Sequence, residues 1–110
     1  MAHPGGATNY SYETRVDERA ILEVQVRDSA MVGAGLMLVG ARPASSAERE
    51  KLTAFARGVV GECPTAGRLI AKRYATAVSQ IDEAPAATCG PWQVRAGKVG
   101  HDYQVSLDRQ

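Results

Sequence analysis

The sequence predicts an α+β domain: a small antiparallel or mixed sheet of about five strands, with one or two helices on one face. Two observations carry this reading. Apolar and polar residues alternate with period two near both ends of the chain, the mark of half-buried strands. Between those ends, a capping sequence opens a stretch whose apolar residues recur at helical spacing.

The elements follow in order. Residues 1–8 are small and Gly/Pro-rich and read as a disordered tail, leaving 9–110 as a single domain. Tyr10, Tyr12, Thr14 and Val16 share one face of a first strand, with Ser11, Glu13 and Arg15 on the other. Asp17-Glu18-Arg19 is the turn. Ala20, Leu22, Val24 and Val26 then alternate with Ile21, Glu23, Gln25 and Arg27 in the clearest strand of the chain. The run from Met31 to Arg42 is apolar on both parities, as expected of a central strand buried on both faces. Gly33 and Gly35 within it mark a bulge or a close backbone approach.

Ser45 and Glu48 form a capping-box pattern, and Leu52, Phe55, Ala56, Val59 and Val60 follow as one stripe. Together they predict a helix over 46–61 that Gly61 stops. Residues 66–82 fit helical and strand spacing alike and are read as a helix. Residues 82–91 read as loop. Strands over 92–96 and 102–108, joined by Gly97 to Gly100, form a hairpin. The order is β-β-β-α-(α)-β-β.

Composition narrows the function classes. The chain has 110 residues, 45% of them apolar and 23% charged, with a formal net charge of +1. Counterion release requires clustered positive charge, so this balance speaks against a nucleic-acid binder. The longest apolar run, Ala30 to Ala41, has 12 residues and is too short for a membrane span. The Ala-, Arg- and Gly-rich composition is bacterial in character.

The two cysteines, Cys63 and Cys89, stand too far apart for a CxxC redox or zinc pair. An even pair in a small domain reads as a structural disulfide, and hence as an oxidising compartment; two unpaired thiols are the alternative. Cys89-Gly90-Pro91-Trp92 resembles a redox motif only superficially, because Trp92 occupies the position a resolving cysteine needs. The first residues lack an apolar signal core. A periplasmic or secreted location therefore implies a removed leader, with or without a lipid anchor, and a cytoplasmic location is the alternative.

No catalytic set stands out. His3 lies in the tail, and His101 reads as a turn residue at the hairpin. The spacing of cysteines and histidines matches no metal site, and no cofactor fingerprint is complete. Among the aromatics, Trp92, Tyr10, Tyr12 and Tyr103 are the candidate interaction surface, although Trp92 has core packing beside the disulfide as its plainer reading.

These features favour a non-enzymatic protein-interaction domain, an extracytoplasmic accessory or assembly subunit or an inhibitor-like module. Its partner, another protein or a second copy, would join a sheet edge, the first strand or the C-terminal strand. The competing reading is a small cytoplasmic α+β enzyme or ligand-binding protein. Its pocket would lie between helix and sheet, lined by Met31, Met37, Phe55 and Tyr74.

Overall fold

The fold is seen in a computed structural model that describes residues 9–40, 44–75, 80–81 and 85–109. Strands β1 (Asn9–Arg15), β2 (Ala20–Arg27) and β3 (Ala30–Leu38) form an antiparallel meander. Helices α1 (Ser46–Val60) and α2 (Pro64–Ala75) follow. A second meander closes the chain: β4 (Ala87–Cys89), β5 (Trp92–Val99) and β6 (Asp102–Arg109). The meanders join where β3 pairs antiparallel with β6, giving one six-stranded sheet in the order β1-β2-β3-β6-β5-β4.

The α+β class stands, with six strands where about five were expected. The extra strand, β4, lies inside the predicted loop. The C-terminal strand is corrected from an edge to a central position between β3 and β5. The expected tail over 1–8, and residues 76–79 and 82 of the helix expected over 66–82, lie outside the described residues; at Gln80 the helix expectation is corrected, since that residue forms a parallel bridge to Lys98.

Turn chemistry accounts for the tight connections. Asp28 and Ser29, with φ of 50° and 65°, form the two-residue β2–β3 hairpin turn, the left-handed pair that matches strand twist. Gly100, at φ 65°, opens the β5–β6 turn, with His101 beside it. The β5–β6 turn is thus tighter than the four residues expected.

One face of the sheet carries the core. Leu36 and Leu38 of β3, Val105 and Leu107 of β6, and Val94 and Ala96 of β5 are buried beneath Leu52 and Ala56 of α1 and Ile70 of α2. The other face is polar, as an open antiparallel face should be. There Gln25 and Gln104 lie across glycines of β3. A Cβ added at Gly33 would stand 2.7 Å from Gln25 Oε1, and one at Gly35 would stand 3.0 Å from Gln104 Nε2. The glycines thus make room for glutamine side chains, and β3 is covered by a helix layer on one side only. A bulge leaves Val32 without a partner between Met31 and Gly33. It shifts the parity of β3, so Met31 pairs with Val26 of the core face while Met37 pairs with Ile21 of the open face.

The capping box of α1 is present. Ser45 Oγ accepts from Glu48 N at 3.2 Å, and Glu48 Oε1 accepts from Ser45 N at 2.9 Å. Gly61, at φ 80°, donates to the Arg57 carbonyl and ends the helix. Cys63 and Cys89 are bridged, with Cα atoms 5.9 Å apart and 26 positions between them in sequence. The bridge ties the α1–α2 junction to β4. In the chain-entropy account, closing such a loop contributes roughly 3.5 kcal/mol.

The stripe of α1 is buried unevenly. Leu52 and Ala56 are fully covered, whereas Phe55, Val59 and Val60 are only half-buried. Leu52→Ala should therefore cost about 2–5 kcal/mol, and Phe55→Ala clearly less than the roughly 3–5 kcal/mol of a buried phenylalanine. Urea unfolding of both variants measures the difference. Reducing the disulfide should lower the unfolding free energy by about 3 kcal/mol in the same assay.

Candidate functional site

Helix α1 packs chiefly on β6 and β3, and α2 on β5 and β4. Two helices about 10 Å apart cover roughly 20 Å, the width of about four strands at 4.8 Å spacing. A six-stranded sheet is wider than that. The first two strands project beyond the helix layer as a wing whose core-side face is incompletely covered.

The register places Tyr10 opposite Val26, Tyr12 opposite Val24, and Thr14 opposite Leu22 on that face. Leu22, Val24, Val26 and Met31 are each only half-buried. Tyr12 is 56% exposed and Val16 58%, and both belong to the small set of exposed large apolar residues. The Tyr10 and Tyr12 rings stand 5.9 Å apart, centre to centre.

One flank of α1 borders this wing. Glu48 and Lys51 reach the β1–β2 turn, where they meet Arg19 and Asp17. Phe55 and Val59 continue the same flank at helical spacing. Asp17 is the corner of the turn. Its Oδ1 accepts from Arg19 N at 2.9 Å and Ala20 N at 2.8 Å, and its Oδ2 accepts from Lys51 Nζ at 2.5 Å. The Lys51 ammonium, helped by those two backbone donors, lowers the Asp17 carboxyl from its usual 3.8 to about 2. Asp17 in turn raises the Lys51 pKa.

Among the described residues, no strand pairs with the outer edge of β1. Val16 N donates to the Ala20 carbonyl at 2.8 Å, so the even-numbered residues turn their backbone groups toward β2. By strict alternation, Ser11, Glu13 and Arg15 turn theirs outward. The opposite edge, β4, is three residues long and anchored by the disulfide.

The sequence-derived surface residues divide between two places. Tyr10 and Tyr12 lie on the wing. Trp92 and Tyr103 are corrected from surface to core, being 8% and 6% exposed. Trp92 pairs with Cys89 and packs beside the disulfide, and Tyr103 lies on the core face of β6 beneath the Lys98 ammonium. Glu13, Arg15 and the exposed state of Val16 were not singled out from sequence. The sign they carry is an unbroken β1 alternation with both charges on its polar parity.

Other surfaces offer less. An open cleft of about 750 Å³ lies between α1 and α2, lined in part by Arg49, Glu50, Thr53 and Arg57. Arg49 there is turned back onto the Ala44 carbonyl and the Ser46 hydroxyl. The polar trough over Gly35, between Glu23, Gln104 and Asp108, encloses only about 20 Å³. The bulge sets Met31 and Met37 on opposite faces of the sheet, so they do not line one pocket. His101 is exposed at its turn. Among the described residues, no three His, Cys, Asp or Glu side chains are grouped to hold a metal ion. No family model, curated protein or solved structure matches the chain.

The Asp17–Lys51 pair yields a pH prediction. A carboxyl whose pKa is depressed by folding stabilises the fold above its unfolded value and loses that contribution as pH falls through its folded value. Stability should therefore decline between about pH 4 and pH 2. Asp17→Asn should flatten that decline, which urea unfolding across the interval would show. The raised Lys51 pKa acts in the opposite sense: its contribution is present below its usual 10.5 and is lost as pH rises through the higher folded value.

Proposed function

We propose that this protein is a non-enzymatic interaction domain that binds a protein partner at the open edge of β1. The observation that carries the reading is a seven-residue edge strand whose outer side meets no other strand among the described residues, beside an incompletely covered apolar face that exposes Tyr12 and Val16. An unpaired row of backbone donors and acceptors is a template for an added strand, and alternate side chains set its specificity. Exposed apolar residues grouped at one edge mark an interaction surface more often than a solvated one. The disulfide supports an extracytoplasmic setting, where such bonds persist. An accessory or assembly subunit of an envelope complex fits both features.

A photo-cross-linking residue at position 12, introduced in the cell that makes the protein, tests the reading. It should form a protein adduct, whereas the same probe at Val99 on the far hairpin should not. Ser11→Pro removes an outward-facing N–H and no ladder bond to β2. It should abolish the adduct while leaving the thermal midpoint within a few degrees of wild type. His101→Ala should change neither. Absence of any adduct at position 12 would defeat the proposal, as would loss of biological activity in His101→Ala with the adduct intact.

A further inference from the structure

We infer that the partner at this edge is a second copy of the chain, with two β1 strands paired antiparallel about a two-fold axis at Thr14. The inference rests on the interaction reading above and adds the identity and register of the partner.

The open edge limits the choices. Ser11, Glu13 and Arg15 present their backbone groups outward, so they must form the hydrogen-bonded pairs of any added ladder. A two-fold axis at Glu13 sets that carboxylate against its own copy. An axis at Arg15 sets two guanidinium groups together and brings Glu13 opposite the partner's Asp17. Both registers place like charges face to face, which disfavours them. An axis at Tyr12 brings Glu13 opposite the partner's Ser11 and leaves the charges uncompensated.

Among axes that fall within β1, only the one at Thr14 uses both charges. Glu13 then stands opposite the partner's Arg15, and symmetry repeats the pair. On the core-side face, Tyr12 stands opposite the partner's Val16, again twice. These are non-hydrogen-bonded pairs, the kind whose side chains approach most closely. The register thus covers the most exposed large apolar residues of the wing, Tyr12 and Val16, while it neutralises Glu13 and Arg15. Edges built to repel pairing carry lysines, prolines or inward charges. β1 has none of these, and its two charges are opposite and two residues apart.

Sedimentation velocity of the purified, disulfide-intact chain from about 1 µM to 1 mM should show a monomer–dimer equilibrium. Glu13→Arg or Arg15→Glu alone turns two attractive pairs into repulsive ones. Each should weaken dimerisation about tenfold or more. The Glu13→Arg/Arg15→Glu double variant restores both pairs with their signs exchanged. It should recover the wild-type constant to within about threefold. Circular dichroism of each variant confirms the fold. Thr14→Cys places the new thiols across the axis, with Cα atoms about 4.5 Å apart, within reach of a disulfide. Peptide mapping should then find a bridge between the two copies at position 14. A chain that stays monomeric over the whole range would overturn the inference. So would a double variant as weak as either single one, or oxidation that leaves position 14 unbridged. A monomer whose position 12 still cross-links to a different protein removes the homodimer and leaves the interaction reading intact.

Discussion

A single buried arginine holds the sheet to its helix layer. Arg19 lies in the β1–β2 turn just before β2, and it bonds to three parts of the chain. Its Nε donates to the Val39 carbonyl at 2.9 Å, and its Nη1 meets Glu48 Oε1 at 2.7 Å. Its own carbonyl accepts from Val39 N at 2.8 Å, and its N–H is held by Asp17. The same Glu48 oxygen closes the capping box of α1. The β1–β2 turn, the exit of β3 and the first turn of α1 are therefore fastened to one another. Burying an ion pair costs desolvation that its mutual attraction only roughly repays. The role of Arg19 is accordingly positional: it fixes the first turn of α1 against the β1–β2 turn and the exit of β3.

The disulfide does the corresponding work at the far edge. Cys89 ends the short strand β4, and Cys63 precedes α2. A three-residue edge strand has too few ladder bonds to hold its place against chain entropy. The covalent tie fixes it next to Trp92 and beneath α2. Helix α1 lies over β6 and β3, and α2 over β5 and β4. The wing is left bare because two helices lack the width to shield six strands, and the disulfide holds α2 over β4 and β5 at the far side of the sheet.

What was legible in the sequence is what local chemistry decides. The capped helix follows from Ser45, Glu48 and a 3.6-residue stripe, all within one element. The strands at both ends follow from unbroken alternation. The bridge between Cys63 and Cys89 follows from an even pair in a small chain. What was not legible depends on neighbours distant in sequence. Ala87-Thr88-Cys89 shows no strand pattern and is a strand only because β5 pairs with it. Arg19 reads as a charged turn residue until Val39 and Glu48 come to it. The bulge at Val32 changes which face Met31 occupies, and no residue type announces it. Tyr103 alternates as Tyr12 does; it is buried because β6 is central, whereas Tyr12 is exposed because β1 is an edge. Strand order, which local pattern does not encode, separates these two tyrosines into core and candidate site.

The same strand order explains why the candidate site is a surface and not a pocket. Among the described residues, those able to carry acid–base or nucleophilic chemistry are dispersed or already engaged. Asp17 is committed to Lys51 and two backbone amides, Glu48 to Arg19 and the helix cap, and both sulfurs to each other. His101 is exposed at a hairpin tip. The unspent capacity of the described molecule lies instead in backbone donors and acceptors along β1 and in the apolar side chains beside them. In the proposed interaction those groups would recognise another strand by geometry, with alternating side chains supplying register. An edge that carries one acid and one base on its polar parity, and tyrosine with valine on the other, distinguishes among possible strands by charge first and by fit second. Under the proposed function, its selectivity would be a matter of which sequence can lie antiparallel to it without placing like charges opposite each other.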